Sequence, residues 1–298
     1  MIIIILIIYL AKISCYTFSK PYKVSWACQL NDIDIIKDIE YVKKVFERIP
    51  LIVLKNQNIN SLEFYNFVKK FDDTHNFKEQ IYHPFKKDLL ISHVGLRDNT
   101  VTSEHSKYNN LWHMDMIGTG KLPCVVSSLH FTNVTSYGGE TEFCNLENAY
   151  AKISMDEKLY LNKLVSIYDK SNIITDLLLD SNGFRKFNYE NKINEIIKQP
   201  FIFYPDPKYT KKSILFSPFR FSHFEGFSSE YSWDLLDHLF AKYINIPDNT
   251  ISIKWSKNDI VLFKNRLLLH SSTPSEIYKD EYRAFKIIFL NTNVPINN

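Results

Sequence analysis

The chain has 298 residues, of which 45% are hydrophobic and 23% charged, with a formal net charge of +3 at pH 7. This balance is typical of a globular protein with a substantial core. No long run of Lys or Arg is present, which argues against a nucleic-acid-binding protein. The four cysteines, Cys15, Cys28, Cys124 and Cys144, contain no Cys-x-x-Cys pair and predict neither a zinc ribbon nor a dense disulfide framework.

The first predicted unit is the segment 1–20, which carries an apolar stretch from Ile2 to Leu10. The stretch is too short for a membrane-spanning helix, which needs about 20 apolar residues. Its length suits a secretory signal or an anchor, although no Lys or Arg precedes it, and a buried β-strand is the alternative. We expect one domain over 21–298 and a cytoplasmic location. The secretory pathway, or membrane attachment through residues 1–15, remains the alternative.

The next fifty residues alternate between strand and helix patterns. Tyr22–Leu30 has the loose alternation of a strand, and the following segment repeats Ile and Val at helical spacing. Leu51–Asn56 is a short apolar run that predicts a buried strand. Asn60–Phe71 predicts a helix that Asn60 or Ser61 caps at its N-terminus. The opening therefore predicts the order β-α-β-α.

The remainder is richer in strands than in helices. The predicted strands are Leu89–Val94, Cys124–Asn133, Lys198–Tyr204, Ile214–Phe216, Ile251–Trp255, Asp259–Leu262 and Tyr282–Leu290. The predicted helices are Leu146–Ser154, Glu157–Leu164 and Ser228–Asn245. A strand-rich chain with peripheral helices predicts an α+β fold with a β-sandwich or jelly-roll core.

The stretch LWHMDMIG, Leu111–Gly118, places His113 and Asp115 two residues apart in an apolar run. On a strand, such residues point to the same side and can reach one ion. Two His and one carboxylate form the ligand set of non-haem Fe(II) oxygenases. The pair alone is weak evidence for a metal site, because the chain has nine histidines and because His223 and Glu225 repeat its spacing.

Three further motifs follow in a fixed order. Gly138–Thr141 reads Gly-Gly-Glu-Thr, and Asn265–His270 reads Asn-Arg-x-x-x-His within the apolar segment Ile260–Pro274, which predicts a strand. Arg283 then lies in another apolar strand. An arginine in such a strand needs an anion, often a carboxylate held by two hydrogen bonds.

The four motifs, from His-x-Asp to the downstream Arg, resemble those of the TauD/TfdA-like family of Fe(II)/2-oxoglutarate-dependent oxygenases. The likeness runs from about Tyr22 to Asn293. It implies a double-stranded β-helix (jelly-roll) core and an Fe(II) ion held by His113, Asp115 and His270. It also implies 2-oxoglutarate and O2 as co-substrates.

The resemblance assigns further roles by position. Thr141 and Arg283 are expected to bind the distal carboxylate of 2-oxoglutarate, and His75 and Asn109 match substrate-contacting positions. The implied reaction is oxidation of a small molecule, with hydroxylation favoured because related halogenases lack a carboxylate at the position of Asp115. His223 and Glu225 fall outside the pattern and are interpreted as structural or as pocket lining.

Two departures from the family affect these expectations. The gap from His270 to Arg283 is 283 − 270 = 13 residues, slightly longer than expected, so Lys286 and Arg266 are kept as alternative carboxylate partners. Sulfonate-using members carry a second Arg where this chain has Ile287. We therefore do not expect taurine to be the substrate.

Two other classes of function stay open at this point. One is a catalytically silent jelly-roll binding protein that keeps the fold. The other is a metal-dependent hydrolase, with zinc on the same three ligands, for which Arg283 and the Gly-Gly-Glu-Thr stretch have no evident use. A homo-oligomer is compatible with the sequence in each case.

Overall fold

The structure is a computed structural model that describes residues 17–19, 21–72, 92–96, 112–117, 123–169, 174–179, 185–189, 196–206, 210–218, 221–273 and 283–290. The apolar segment Ile2–Leu10 and the predicted substrate residues His75 and Asn109 lie outside this set. In the part of the chain that is described, no helix has the length and apolar character needed to cross a bilayer.

The described chain mixes strands and helices. The strands are β1 (Thr17–Ser19), β2 (Ala27–Asn31), β3 (Leu51–Leu54), β4 (Ser92–Leu96), β5 (Val126–Asn133), β6 (Thr141–Asn145), β7 (Val165–Asp169), β8 (Ile174–Leu179), β9 (Arg185–Tyr189), β10 (Ile196–Pro200), β11 (Ile202–Phe203), β12 (Ser213–Ile214), β13 (Phe221–Phe224), β14 (Thr250–Ile253), β15 (Ile260–Lys264), β16 (Leu268–Ser272) and β17 (Arg283–Leu290). The helices are α1 (Ile39–Arg48), α2 (Ser61–Lys69), α3 (Leu146–Lys152), α4 (Met155–Leu161) and α5 (Ser229–Leu239), which continues into a π-helical turn, Phe240–Ile244.

Two sheets organise the centre of the fold. A seven-stranded sheet has the order β1-β2-β3-β15-β5-β17-β4, and a three-stranded sheet has the order β14-β6-β16. One buried cluster joins Leu129 and Phe131 of β5 to Phe143 of β6 and Leu268 of β16. The two sheets therefore share a core, as facing sheets do when side chains alternate across each strand.

The opposite face of the seven-stranded sheet is covered by α1 and α2. Phe46 of α1 and Phe64 of α2 belong to one buried cluster with Ile52 of β3 and Leu262 of β15. The fold thus has a helical layer, a large sheet and a small sheet in succession, and both central sheets have a buried face.

The predicted opening order β-α-β-α is confirmed, although its first strand begins only at Ala27. Asn60 is the N-cap of α2, where its side chain accepts from the Glu63 backbone N–H at 3.0 Å and Glu63 returns a bond to the Asn60 N–H. This is a capping box, which satisfies two backbone donors that a helix start otherwise leaves unpaired.

The prediction of one continuous strand through Ile260–Pro274 is wrong. A 3-10 turn at Asn265–Leu267 separates β15, in the large sheet, from β16, in the small sheet. Hydrophobicity alone does not reveal the break, because apolar residues occupy both strands. The buried Asn265 side chain at the break instead donates to the carbonyls of Asp115 and Cys124, which are distant along the chain.

Candidate metal centre

A backbone bridge places the two histidines side by side. The His113 N–H donates to the His270 carbonyl at 2.8 Å, and the His270 N–H donates back at 2.9 Å. His270 lies on β16, and this isolated antiparallel bridge is the contact through which His113 joins it. Residues paired in this way direct their side chains to one face of a sheet, and the two imidazole centroids are 4.2 Å apart.

Asp115 reaches the histidines through a turn. The strand geometry that led us to expect His113 and Asp115 on one side is wrong, since residues 115–117 form a turn and Met116 has a φ of +70°. A methionine in this left-handed region is uncommon and strained, which marks a backbone held in place by its surroundings. The turn sets Asp115 Oδ1 at 3.6 Å from His113 Nε2 and 3.7 Å from His270 Nε2.

The side chain of Asn265 fixes this turn. Its Oδ1 accepts from the Asp115 N–H at 2.9 Å, and its Nδ2 donates to the carbonyls of Asp115 and Cys124 at 3.0 and 2.9 Å. Asn265 itself is fully buried. One amide therefore ties the carboxylate segment to the start of the long strand β5 and to the segment that delivers His270.

The donor set fits a divalent transition metal. One ligand atom from each of His113, Asp115 and His270 lies within 4.8 Å of the other two. The carboxylate-to-imidazole separations exceed hydrogen-bond length, so the ligand atoms converge on one space without bonding to one another. Two imidazoles and one carboxylate are the ligands with which non-haem Fe(II) is bound while other positions stay open.

The electrostatics of the buried members suit metal binding. Burial, followed by the neighbouring His113, holds the pKa of His270 well below its usual value, so this imidazole is neutral, as a metal ligand must be. Burial raises the pKa of Asp115, while the neighbouring His113 and the Ser127 hydroxyl oppose that shift. A bound cation would also lower the pKa of Asp115 and so favour its ionised form.

Aromatic side chains hold His270 in orientation. Phe143 of β6 stacks on its ring with a centroid separation of 5.7 Å and an interplanar angle of 23°. Phe263 of β15 meets the same ring edge-on at 5.0 Å. Close packing of this kind leaves a buried ring few alternative rotamers, which preorganises the ligand.

A second polar cluster surrounds the buried Arg283. Its guanidinium donates to Thr141 Oγ1 at 3.3 Å and lies over the rings of Phe131 and Phe285, with centroid distances of 5.5 and 5.2 Å. The indole N–H of Trp255 donates to the same Thr141 oxygen at 2.9 Å. Because this hydroxyl accepts twice, its single proton is available to a further acceptor such as a carboxylate.

Strand geometry relates the two clusters. Thr141 and Phe143 occupy the same face of β6, two residues apart, and Phe143 stacks on His270. Two residues of a strand advance by about 7 Å. A short dicarboxylate with one end beside the histidines could thus reach the Thr141–Arg283 pair with its other end.

The other candidates from the sequence have different surroundings. Arg266 is buried and donates to the carbonyls of Pro123 and Pro205 at 2.9 and 3.0 Å, so its contacts are structural. Lys286 lies on the opposite face of β17 from Phe285. His223 accepts from or donates to Ser222 at 2.9 Å, and Glu225 pairs with Lys198 outside the cluster.

Two residues at the clusters carry no sequence signal. Trp255 follows β14, and Ser127 on β5 donates its hydroxyl to Asp115 Oδ2 at 2.6 Å. Neither belongs to any of the four motifs. Their roles depend on contacts across 114 and 12 residues of chain, which local pattern does not reveal.

Comparison with known proteins places the chain in a family. The taurine catabolism dioxygenase TauD, TfdA family matches residues 24–284. A Schizosaccharomyces pombe protein named as a candidate alpha-ketoglutarate-dependent sulfonate dioxygenase is 23% identical over 253 residues, 84% of this chain and 62% of that protein. An alkylsulfatase of Acinetobacter baylyi is 28% identical over 191 residues, 61% of this chain and 56% of that enzyme. The chain thus spans about six-tenths of the length of these two relatives.

Solved structures share the fold. A taurine dioxygenase from Burkholderia xenovorans superposes with a TM-score of 0.70 at 17% identity, covering 94% of this chain and 90% of that one. AAD-2, solved with Mn(II) and N-oxalylglycine, superposes with a TM-score of 0.68 at 19% identity, covering 95% of this chain and all of the other. These structures show the fold, and the match over residues 24–284 establishes that the chain belongs to the taurine catabolism dioxygenase TauD, TfdA family.

Proposed function

We propose that this chain is an Fe(II)- and 2-oxoglutarate-dependent dioxygenase that hydroxylates a small-molecule substrate and releases succinate and CO2. The observation that carries the proposal is the convergence of His113, Asp115 and His270 within 4.8 Å. Family membership supports it, and the buried Arg283 supplies the cation that a dicarboxylate co-substrate requires.

The residues divide the work between metal and co-substrate. His113, Asp115 and His270 would hold Fe(II), and the guanidinium of Arg283 and the Thr141 hydroxyl would bind the distal carboxylate of 2-oxoglutarate. When bound, Fe(II) supplies the one-electron and O2 chemistry, and 2-oxoglutarate supplies two electrons as it is decarboxylated. The protein orients these groups and excludes water, for which the buried Phe143 and Phe263 against the His270 ring are suited.

The proposal extends to the fold and to the substrate residues. The large and small sheets with their shared core support a double-stranded β-helix, and residues 21–298 are proposed to form one domain. His75 and Asn109 are proposed to contact substrate, by their position in the family pattern alone.

The substrate proposal rests on Ile287. Ile287 and Phe285 pack against the core that the two sheets share, on the strand that carries Arg283. An apolar wall there cannot pair with a sulfonate. We therefore propose a small organic substrate that places apolar carbon against Ile287, and we expect taurine not to be oxidised.

The test begins with anaerobic titration of the purified protein by Fe(II) and then by 2-oxoglutarate, followed through the weak visible charge-transfer band of the chelate. The band is expected. Succinate release is then measured in air with taurine, an alkylsulfonate, an alkyl sulfate and 2,4-dichlorophenoxyacetate. No band from the folded protein contradicts the proposal and favours the zinc hydrolase. A band without succinate from any substrate favours the silent binding protein.

Replacing Trp255 with Phe should weaken 2-oxoglutarate binding about 3- to 10-fold, the value of one lost hydrogen bond. The Phe ring keeps the stacking on Phe131, where the present centroids are 4.2 Å apart, but no longer donates to Thr141. The measurement is the dissociation constant of 2-oxoglutarate for the Fe(II) protein, from the charge-transfer band.

The matched control is Trp26→Phe. Trp26 belongs to the same buried cluster as Trp255, and its indole N–H has no hydrogen-bond partner among the described residues. We expect this variant to bind 2-oxoglutarate like the wild type. Equal affinities for the two variants would show that the Trp255 N–H does not act on the co-substrate site.

A further inference from the structure

We propose that the hydroxyl of Ser127 is a positioning group that leaves Asp115 a single oxygen for the metal. The inference rests on the proposed function, because it takes His113, Asp115 and His270 as metal ligands. Ser127 is fully buried on β5, on the strand face that looks toward the small sheet, together with Leu129 and Phe131.

The two oxygens of Asp115 have different surroundings. Oδ2 accepts from Ser127 Oγ at 2.6 Å, the length of a strong O–H···O⁻ hydrogen bond. Oδ1 faces the imidazoles of His113 and His270 at 3.6 and 3.7 Å. With Oδ2 held by the hydroxyl, the carboxylate binds through Oδ1 alone, which leaves more of the metal's positions open to co-substrate and O2.

Cys124 supports the hydroxyl from behind. Its Sγ lies 3.3 Å from Ser127 Oγ. Because the one proton of Ser127 is directed to the carboxylate, the thiol donates to the serine oxygen, and the bonds run in one direction from Cys124 through Ser127 to Asp115. Asn265 bonds to the carbonyls of both Cys124 and Asp115, so the backbone is fixed at both ends of this chain of bonds.

The strand itself provides a matched control. Ser128 is as fully buried as Ser127 and comes next along β5, so it points to the opposite face. Its hydroxyl donates to the Val261 carbonyl at 2.9 Å. Alanine at either position removes one buried hydroxyl from the same strand. Only Ser127→Ala removes the hydrogen bond to Asp115 Oδ2.

The experiment measures Co(II) binding and the visible d–d spectrum of the Co(II) protein, in the full chain. We expect Ser127→Ala to weaken Co(II) binding about 10- to 100-fold, the usual effect of losing a residue that orients a ligand, and to alter the spectrum. Ser128→Ala should match the wild type in both readouts. If Ser127→Ala does not fold, Ser127→Gly and Ser128→Gly, which remove the same hydroxyls and add no metal ligand, are compared with the same expected direction.

The outcomes separate this inference from the function beneath it. Wild-type binding that is lost in His113→Ala, with Ser127 and Ser128 variants equal in affinity and spectrum, overturns the role of Ser127 and leaves the metal site intact. A wild type that binds neither Co(II) nor Fe(II) overturns the proposed function, and the role of Ser127 falls with it.

Discussion

His113→Ala should abolish Fe(II) binding at micromolar protein and, with it, the charge-transfer band and all succinate formation. The variant removes one of the three proposed ligands, whose donor atoms lie within 4.8 Å of one another. Losing a direct ligand should weaken metal binding by more than the roughly 100-fold upper range of residues that only orient a ligand. The measurement is anaerobic Fe(II) titration, with metal content after gel filtration as the second readout.

The matched control for this variant is His223→Ala. His223 starts the second His-x-carboxylate pair of the sequence, but its ring bonds to Ser222 at 2.9 Å, and Glu225 pairs with Lys198. We expect His223→Ala to keep full Fe(II) affinity. The assignment of the metal site is wrong if His113→Ala binds Fe(II) like the wild type, and the second pair becomes the candidate if His223→Ala loses the metal.

The sequence predicted that His113, Asp115 and His270 lie together, but not how they are brought together. Spacing on a strand was the reason to join His113 and Asp115, whereas the structure joins them through a turn at Met116 with a φ of +70°. The hydrophobic pattern does not predict a methionine with a positive φ, because non-glycine residues rarely adopt this conformation and methionine favours helices. The order of the four motifs carried the prediction, since it reflects the fold as a whole.

Partners distant along the chain account for most of what the sequence did not reveal. The opening helices and strands were predictable because their signals are local, as with the capping box of Asn60 and Glu63. Asn265 was visible as part of a motif, but its bonds to Asp115 cross 150 residues. Ser127 and Trp255 are one serine and one tryptophan among several until the sheets bring them to Asp115 and Thr141.

Arg283→Met should raise the dissociation constant of 2-oxoglutarate about 30-fold or more while leaving Fe(II) affinity unchanged. The unbranched methionine can still pack on Phe131 and Phe285, but it brings no charge to the distal carboxylate. Removing one partner of a buried charge pair costs about 2 kcal/mol or more, which corresponds to this factor. Arg283→Lys should retain part of the affinity, because an ammonium keeps the charge and loses the two-pronged geometry of the guanidinium.

The variant Arg266→Lys tests whether Arg266, rather than Arg283, binds the distal carboxylate of 2-oxoglutarate. Its guanidinium bonds to the carbonyls of Pro123 and Pro205 and is buried, so Arg266→Lys should lower the free energy of unfolding in a urea titration without changing 2-oxoglutarate affinity. Arg283→Met should show the reverse pattern, because we propose the co-substrate as the partner of Arg283. A larger loss of 2-oxoglutarate affinity in Arg266→Lys than in Arg283→Met would transfer the carboxylate site to Arg266. The longer gap between His270 and Arg283 would then be the reason that Arg283 does not serve this chain as the family pattern implies.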